Sequence, residues 1–349
     1  MHHWEITYNT ILSAADILLL IYHHRKKSLI AIITGFLLYG GLSVALAFLF
    51  SPDNFGALRL LCYTVFIHGF LLSFLFFFLL FNKYKFFAII SAAAGLLIVF
   101  SGIDAFFIEP HSLIVSRVNM KSAKLKEPLK IVVFSDFQAD EISDYEKNAI
   151  DLSLAEKPDI LLLPGDYIQT DNVEKRKELY SELNKLLKEK NFAARFGIYA
   201  VNGNVDERDW PKIFEGSYVT CATKLSSFEN ESFVITCLNL EESFGANIHI
   251  PVKNKFHIVL GHAPDFALAN PDADLLIAGH THGGQVRIPF LGPIFTLSKV
   301  PSGWASGVTD IDADTKLIVS RGIGMERGNA PPIRFFCKPE IVVVTVMPE

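Results

Sequence analysis

The stretch Gly279-His280-Thr281-His282-Gly283-Gly284-Gln285 places two histidines one residue apart in a glycine-rich turn. It directly follows the apolar run at 273–278, and a short apolar run of this kind predicts a buried strand. Both imidazole rings can then point into one small volume beyond the end of that strand. Two histidines alone are weak evidence for a metal site, so their meaning depends on the rest of the chain.

Four earlier blocks carry metal-ligand residues in the same setting, each directly after an apolar run. They are Ser135-Asp136-Phe137-Gln138, Pro164-Gly165-Asp166, Asn202-Gly203-Asn204-Val205-Asp206 and Gly261-His262. Carboxylate, amide and imidazole groups together suit Mn, Fe or Zn better than calcium. Taken singly, Asp136 and Asp166 have an alternative reading as helix caps, and Asn204 has one as a turn residue. Taken together, the five blocks predict a metal centre at strand ends.

From residue 109 onward, apolar strand-like runs alternate with polar helical ones. The predicted strands are 129–134, 159–163, 197–201, 233–240, 256–260, 274–278, 316–320 and 340–346, and the predicted helices are 145–156 and 173–190. Such alternation is typical of an α/β fold in which helices cover central sheets. We therefore predict that residues 109–349 form one α/β domain.

The first part of the chain is far more apolar than the rest. Runs at 28–51, 56–81 and 86–108 are each near or above the ~20 residues that a helix needs to cross a bilayer. A shorter run at 11–22 contains Asp16 and is a weaker span. The alternative is a set of buried helices, but core helices usually keep a polar face. Residues 1–108 are therefore predicted to form a transmembrane region of three to four helices, which makes the chain an integral membrane protein.

Charges in the short loops bear on the side of the membrane that the second domain occupies. Basic residues lie at 25–27 and at 83 and 85, and with four spans both groups fall on one side, the cytoplasm. The loop charges therefore favour an extracytoplasmic domain. Basic residues at 117, 121 and 124 argue against this orientation, so the side stays open.

Composition excludes some functions. The 349-residue chain has a formal net charge of -5, so no basic excess indicates nucleic-acid binding. Its four cysteines form no C-x-x-C pair, which argues against a zinc knuckle or a disulfide framework. The spans are also expected to lack a cluster of intramembrane polar residues, which disfavours a transporter.

The five blocks, in this order, resemble the calcineurin-like metallophosphoesterase superfamily, whose pattern is D-x-H, GD, GNH[D/E], GH and GHxH. The resemblance covers roughly 129–340. The GHTHGGQ form and the multi-span amino terminus are similar to the membrane-anchored bacterial branch, which implies an inner-membrane location. The resemblance also implies a four-layer αββα sandwich for residues 109–349.

The same resemblance implies a role for each block. Two divalent ions, with Mn favoured and Fe or Zn as alternatives, would activate a water as nucleophile and neutralise charge on the phosphate. Asp136 and His282 would hold the first ion, and Asp166 would bridge the two ions. The second ion would be held by Asn204, His262 and His280. The predicted metal ligands are Asp136, Gln138, Asp166, Asn204, His262, His280 and His282, and the predicted catalytic residues are Asp166, Asn204, Asp206 and Arg208.

Two residues depart from the family pattern. Gln138 stands where the family usually has a histidine ligand, so the first metal site is either looser or completed by another group. Val205 stands where the family usually has a histidine that protonates the leaving group or contacts the phosphate. An alkoxide gains much from a general acid, whereas a phosphate or nucleotide leaves readily as an anion. Val205 therefore favours diphosphates or activated esters, unless Arg208 or another group replaces the acid.

These observations predict a membrane-anchored phosphoesterase that acts on a phosphoester or diphosphate bond in a substrate at the bilayer surface. A lipid-linked substrate fits both the anchor and Val205. The family includes hydrolases that split UDP-diacylglucosamine in lipid A synthesis, but that substrate requires a cytoplasmic site. The alternative is a catalytically degenerate domain that acts as a membrane-bound ligand sensor.

Overall fold

The computed structural model of the chain describes residues 2–26 and 28–349. Two compact units are present: Met1–Phe107 with Arg327–Pro332, and Ile108–Glu326 with Ile333–Glu349. The division into domains at 108/109 stays a prediction. Lys27, one of the predicted loop charges, lies outside the described residues.

The amino-terminal unit consists of apolar helices. They are α1 (His3–Lys26), α2 (Leu29–Phe50), α3 (Asn54–Tyr63), α4 (Phe70–Phe81) and α5 (Lys85–Ile103). A π-helical turn at Thr64–Gly69 joins α3 to α4. Among the described residues, four helical segments are long and apolar enough to cross a membrane. The weaker run near the amino terminus therefore lies in a 24-residue helix.

The segment Arg327–Pro332 packs with this unit although nothing in the sequence pattern indicated it. The Arg59 guanidinium donates to the carbonyls of Gly328 and Ala330 at 2.7 and 2.6 Å. Asn329 donates to the carboxylate of Asp53 at 2.8 Å. These bonds satisfy backbone and side-chain groups that would otherwise need water.

The apolar helices also hold a cluster of polar side chains, contrary to the expectation from the sequence. His68 lies 2.6 Å from the Asp16 carboxylate through Nδ1 and 3.0 Å from the Asn9 side-chain oxygen through Nε2. Tyr63 donates to Glu5 at 2.9 Å. The cluster could not be recognised in the sequence because its members come from α1 and from the segment of α3 and the π-helical turn, more than 50 residues apart.

The second unit contains two six-stranded sheets and a small hairpin. The strands are β1 (Ile114–Ser122), β2 (Leu129–Val133), β3 (Ile160–Leu163), β4 (Ile198–Ala200), β5 (Val219–Cys221), β6 (Ser226–Glu229), β7 (Phe233–Cys237), β8 (Phe256–Leu260), β9 (Leu275–Ala278), β10 (Arg287–Ile288), β11 (Gly292–Pro293), β12 (Gly307–Asp310), β13 (Lys316–Val319) and β14 (Glu340–Pro348). The sheet orders are β1-β14-β2-β3-β4-β5 and β12-β13-β9-β8-β7-β6. β2 to β5 are parallel to one another, and so are β7, β8, β9 and β13.

The core lies between the sheets because buried strands alternate their side chains between two faces. Ile131 and Val133 of β2 pack towards the second sheet, while Val132 packs on the opposite face. On that opposite face, α6 (Asp144–Ala155) and α7 (Val173–Glu189) cover the first sheet.

The outer face of the second sheet has a thinner cover. It consists mainly of the 3-10 turn Pro264–Ala269, which packs with residues such as Leu276 and Val319, and of neighbouring loops. The short helix α8 (Leu240–Ser243) contacts that turn. The predicted α/β fold of two packed sheets, preceded by apolar helices, is confirmed, with short helices in its fourth layer.

Candidate metal centre

The five ligand-bearing blocks meet at one edge of the two sheets. Asp136, Asp166 and Asn204 follow β2, β3 and β4 of the first sheet. His262 follows β8 of the second sheet, and the His280-Thr281-His282 turn follows β9. Because these strands run parallel within each sheet, their carboxyl ends lie at the same edge.

Backbone strain is concentrated at this edge. Five of the predicted metal ligands have positive φ: Asp136 (49°), Gln138 (39°), Asp166 (58°), His280 (69°) and His282 (47°). Non-glycine residues in this region cost on the order of 1–3 kcal/mol each and concentrate at functional sites. The chain thus accepts local strain where it turns side chains towards the strand ends.

Two overlapping clusters of ligand atoms result. In the first cluster, Asp136, Asp166 and His282 offer atoms that all lie within 4.8 Å of one another. In the second cluster, Asp166, His262 and His280 do the same. All five side chains are buried, and Asp166 belongs to both clusters. A shared carboxylate is the arrangement that a bridging ligand between two ions requires.

The second cluster has orienting hydrogen bonds. Nδ1 of His262 lies 2.9 Å from the Pro164 carbonyl, which can only accept, so Nδ1 carries the proton. Nε2 of His262 then presents a lone pair to the Asn204 side-chain oxygen at 2.9 Å, in the orientation shown. Two acceptors that face each other are stabilised by a cation between them. Nε2 of His280 donates to the Leu297 carbonyl at 3.1 Å, which leaves Nδ1 to bind a metal.

The first cluster lacks such bonds at its histidine. His282 is 4% exposed, and neither ring nitrogen has a hydrogen-bond partner among the described residues. Its Nε2 lies 3.9 Å from Asp136 Oδ1. A buried polar group without a partner costs on the order of 1–3 kcal/mol, and coordination of a metal would recover that cost. The donor set of both clusters therefore fits divalent metal ions.

Burial pushes the charges of the site towards neutrality. It raises the pKa of Asp136 to about 7, and with the Asp206 charge it raises the pKa of Asp166 well above its usual range. It also lowers the pKa of His262 and His282 well below the usual value. Neutral imidazole is the metal-binding form, and a dication among these groups would restore both carboxylates.

Gln138 lies at the first cluster, beside a carboxylate that sequence reasoning missed. Its Nε2 donates to Asp166 Oδ2 at 3.3 Å and to Glu326 Oε2 at 3.3 Å. Glu326 also accepts from Gln169 Nε2 at 2.6 Å, and its backbone nitrogen donates to Gln285 Oε1 at 2.9 Å. The sequence feature that pointed to Glu326 was the glycine-rich segment directly before it, at 322–325.

The remaining predicted catalytic residues lie on the loop after β4. Asp206 accepts from the backbone nitrogens of Asp166, Tyr167 and Gly203 at 2.8, 2.9 and 2.8 Å. Its carboxylate therefore positions the loop that carries Asp166, and a direct catalytic role stays a prediction. Arg208 is exposed and makes no hydrogen bond or ion pair with the residues that the structure describes, so its role as an acid also stays a prediction.

Comparison with known proteins identifies the family. Residues 129–284 match the model of the calcineurin-like phosphoesterase family. The chain is 31% identical over 281 residues to YkuE of Bacillus subtilis (strain 168), described as an uncharacterized metallophosphoesterase, with 73% of this chain and 93% of that one covered. It is 26% identical over 238 residues to the phosphodiesterase YaeI of Escherichia coli (strain K12), with 63% and 83% covered. Against the solved structure of Yfce, a phosphoesterase from E. coli, the TM-score is 0.31 at 14% identity, with 58% and 85% covered.

Two packed α/β sheets with imidazole and carboxylate clusters at their strand ends define an α/β protein with a candidate metal centre. The chain belongs to the calcineurin-like phosphoesterase family, as its five blocks predict. Membership implies divalent metal ions and a phosphoester substrate. The membrane-anchored branch of the family stays a prediction.

Proposed function

We propose that the chain is a membrane-anchored, two-metal phosphoesterase that cleaves a phosphodiester or diphosphate bond in a lipid-linked substrate. The observation that carries the proposal is the pair of clusters that share Asp166. Bound divalent ions, Mn by preference, supply Lewis-acid polarisation of the phosphoryl oxygens and a water of lowered pKa. The chain's own residues hold those ions and shape the site.

The protein groups around Asp166 and Asp136 fix the two carboxylates for this task. The Val205 backbone nitrogen donates to Asp166 Oδ1 at 3.0 Å, and the His280 backbone nitrogen donates to Asp136 Oδ1 at 2.8 Å. The hydroxyl of Ser135 donates to the other oxygen of Asp136. Fixed carboxylates need no reorganisation during the reaction, which is the main advantage of a preorganised site.

The nature of residue 205 supports a substrate with a stable leaving group. Val205 is half-buried, and its side chain has no proton to give. A leaving group that departs from this site as a phosphate, nucleotide or similarly stable anion needs little protonation. The E. coli relative named a phosphodiesterase adds support for cleavage between two esterified groups.

An exposed apolar stretch that runs from the β10–β11 hairpin to residue 297 supports a lipid-linked substrate. Ile288, Phe290 and Leu291 of the β10–β11 hairpin are exposed, and so is Leu297, whose carbonyl accepts from His280. A cavity of about 370 Å³ is lined by 287–292 and Phe336. Exposed apolar side chains in one segment are typical of a surface that binds apolar groups. Such a surface suits the acyl chain of a lipid-linked substrate whose phosphate group lies in the metal centre.

The test is a hydrolysis panel with the full chain in detergent micelles and Mn²⁺. The substrates are UDP-diacylglucosamine, a polyprenyl diphosphate, bis(p-nitrophenyl) phosphate and glycerol 3-phosphate. We expect lipid diphosphates and the activated diester to react at least about 100-fold faster than the alkyl monoester, since general-acid catalysis is worth roughly 10²–10⁴-fold. Hydrolysis of the alkyl monoester alone would contradict the substrate class. A protein that binds UDP-diacylglucosamine, holds no metal and hydrolyses nothing would be the ligand sensor instead.

A further inference from the structure

We propose that Glu326 is a ligand of the first metal ion and replaces the histidine that the family carries at position 138. The inference rests on the proposed two-metal function. In the second cluster, Asn204 joins Asp166, His262 and His280, so four side chains surround one volume. The first cluster has three, and Mn, Fe and Zn in proteins usually have four to six ligands.

A single amide separates Glu326 from the first cluster. Nε2 of Gln138 lies 3.3 Å from Asp166 Oδ2 and 3.3 Å from Glu326 Oε2. Two carboxylates that approach one small volume repel each other unless a positive group lies between them. The Gln138 amide hydrogens stand in for that positive group here. A metal ion in the same volume would bind both carboxylates more strongly than an amide does.

The backbone around Glu326 is built onto the loop that carries Asp136. Ile323 N donates to the Ser135 carbonyl at 3.0 Å, and Gly324 N donates to the Asp136 carbonyl at 2.7 Å. A side chain at position 324 would collide with the Phe137 carbonyl, so only glycine allows this approach. The segment before Glu326 is thereby fixed beside the first cluster.

A buried arginine fixes the same segment from its other side. The Arg334 side chain is fully buried, and it donates to the carbonyls of Arg321 and Cys337 at 2.9 Å each, and to Gly322 and Gly324. It is therefore committed to backbone carbonyls. A guanidinium in this place explains why the segment can run through the interior with its carbonyls satisfied.

The experiment measures bound manganese per chain and Mn–Mn spin coupling by electron paramagnetic resonance on the full chain in detergent. The variants are Glu326→Gln, Gln138→His and the double variant. Glu231→Gln is the control, because Glu231 is exposed and lies before β7, at the opposite edge of the second sheet. All are compared at the same free Mn²⁺ concentration.

We expect two coupled ions in the wild type and in the control. Glu326→Gln should lower the affinity for the first ion by about 10- to 100-fold. One uncoupled ion should then remain bound, and its presence shows that the fold persists. The double variant should regain two coupled ions, because imidazole at 138 makes Glu326 dispensable.

Two coupled ions of unchanged affinity in Glu326→Gln would overturn the ligand role and leave the proposed function intact. A wild type without bound metal would overturn both. If Glu326→Gln holds no ion, the double variant decides: regained ions support the ligand role, and their continued absence refutes it.

Discussion

The first and second clusters share Asp166 but differ in how their other ligands are held. In the second, backbone carbonyls fix the protonated nitrogens of His262 and His280. In the first, both nitrogens of His282 lack hydrogen-bond partners within the described residues, and position 138 is not histidine. Orienting partners typically change metal affinity by roughly 10- to 100-fold. The difference teaches that one half of the centre is preorganised by protein, while the other half depends on the ion itself.

The largest effect is expected from Asp166→Asn, which removes the carboxylate common to both clusters. Loss of both ions should accompany a fall in kcat/KM on the order of 10³-fold, since metal ions supply several kcal/mol and about 1.4 kcal/mol is tenfold. Metal analysis and hydrolysis of bis(p-nitrophenyl) phosphate measure this. Asp151→Asn, on the exposed face of α6, is the control and should change neither. If the Asp166 variant kept two ions, Asp166 would not be the bridge.

The next prediction separates the clusters by metal removal. Titration of the manganese-loaded chain with a chelator should release the ions in two steps whose dissociation constants differ by about tenfold or more. His282→Ala should remove the weaker step, and His280→Ala should remove the tighter one. Atomic absorption of the dialysed protein gives the counts. A single step in the wild type, or the reverse assignment, would show that the two clusters do not differ as their hydrogen bonds indicate.

Most of the ligands in the two clusters could be predicted from the sequence, for a physical reason. Strands β3, β8 and β9 are short runs buried on both faces, and such runs stand out as continuous apolar stretches. The ligands follow them directly, so the order of blocks on the chain matched the order of strand ends. The family assignment followed from the same pattern.

The features that the sequence hid depend on contacts between distant segments. Arg334, Gly322 and Gly324 hold the segment of Glu326 in the interior. This placement brings Glu326 beside Gln138. The edge strand β1 was missed because its exposed and half-buried residues give no apolar run. The polar cluster of the apolar helices was missed for a similar reason, since each helix contributes only a few of its members.

Substrate choice gives an effect smaller than that of Asp166→Asn, and it tests what Val205 contributes beside the second cluster. Val205→His should raise hydrolysis of glycerol 3-phosphate by about 100-fold, the lower end of general-acid catalysis, and leave lipid diphosphate hydrolysis within about threefold. Val205→Asn, which has no comparable acid, is the control. Initial rates over a range of pH provide the measurement. An equal gain in both variants would mean that size or polarity at 205, rather than a proton, limits the reaction.

The smallest effects are expected from the groups that orient each cluster. Ser135 donates to Asp136 of the first cluster, whereas Asp206 accepts from the backbone at Asp166 and Gly203. Ser135→Ala should therefore lower the affinity for only the more loosely held ion, by about tenfold. Asp206→Asn should lower the affinity for both ions, because the loop of the shared Asp166 loses a charged acceptor. It should also lower the free energy of unfolding by about 1–3 kcal/mol. Manganese titrations and thermal unfolding in detergent measure the two quantities. Equal losses at both ions in Ser135→Ala would show that the clusters act as one unit, because the shared Asp166 would then transmit a change at Asp136 to the second ion.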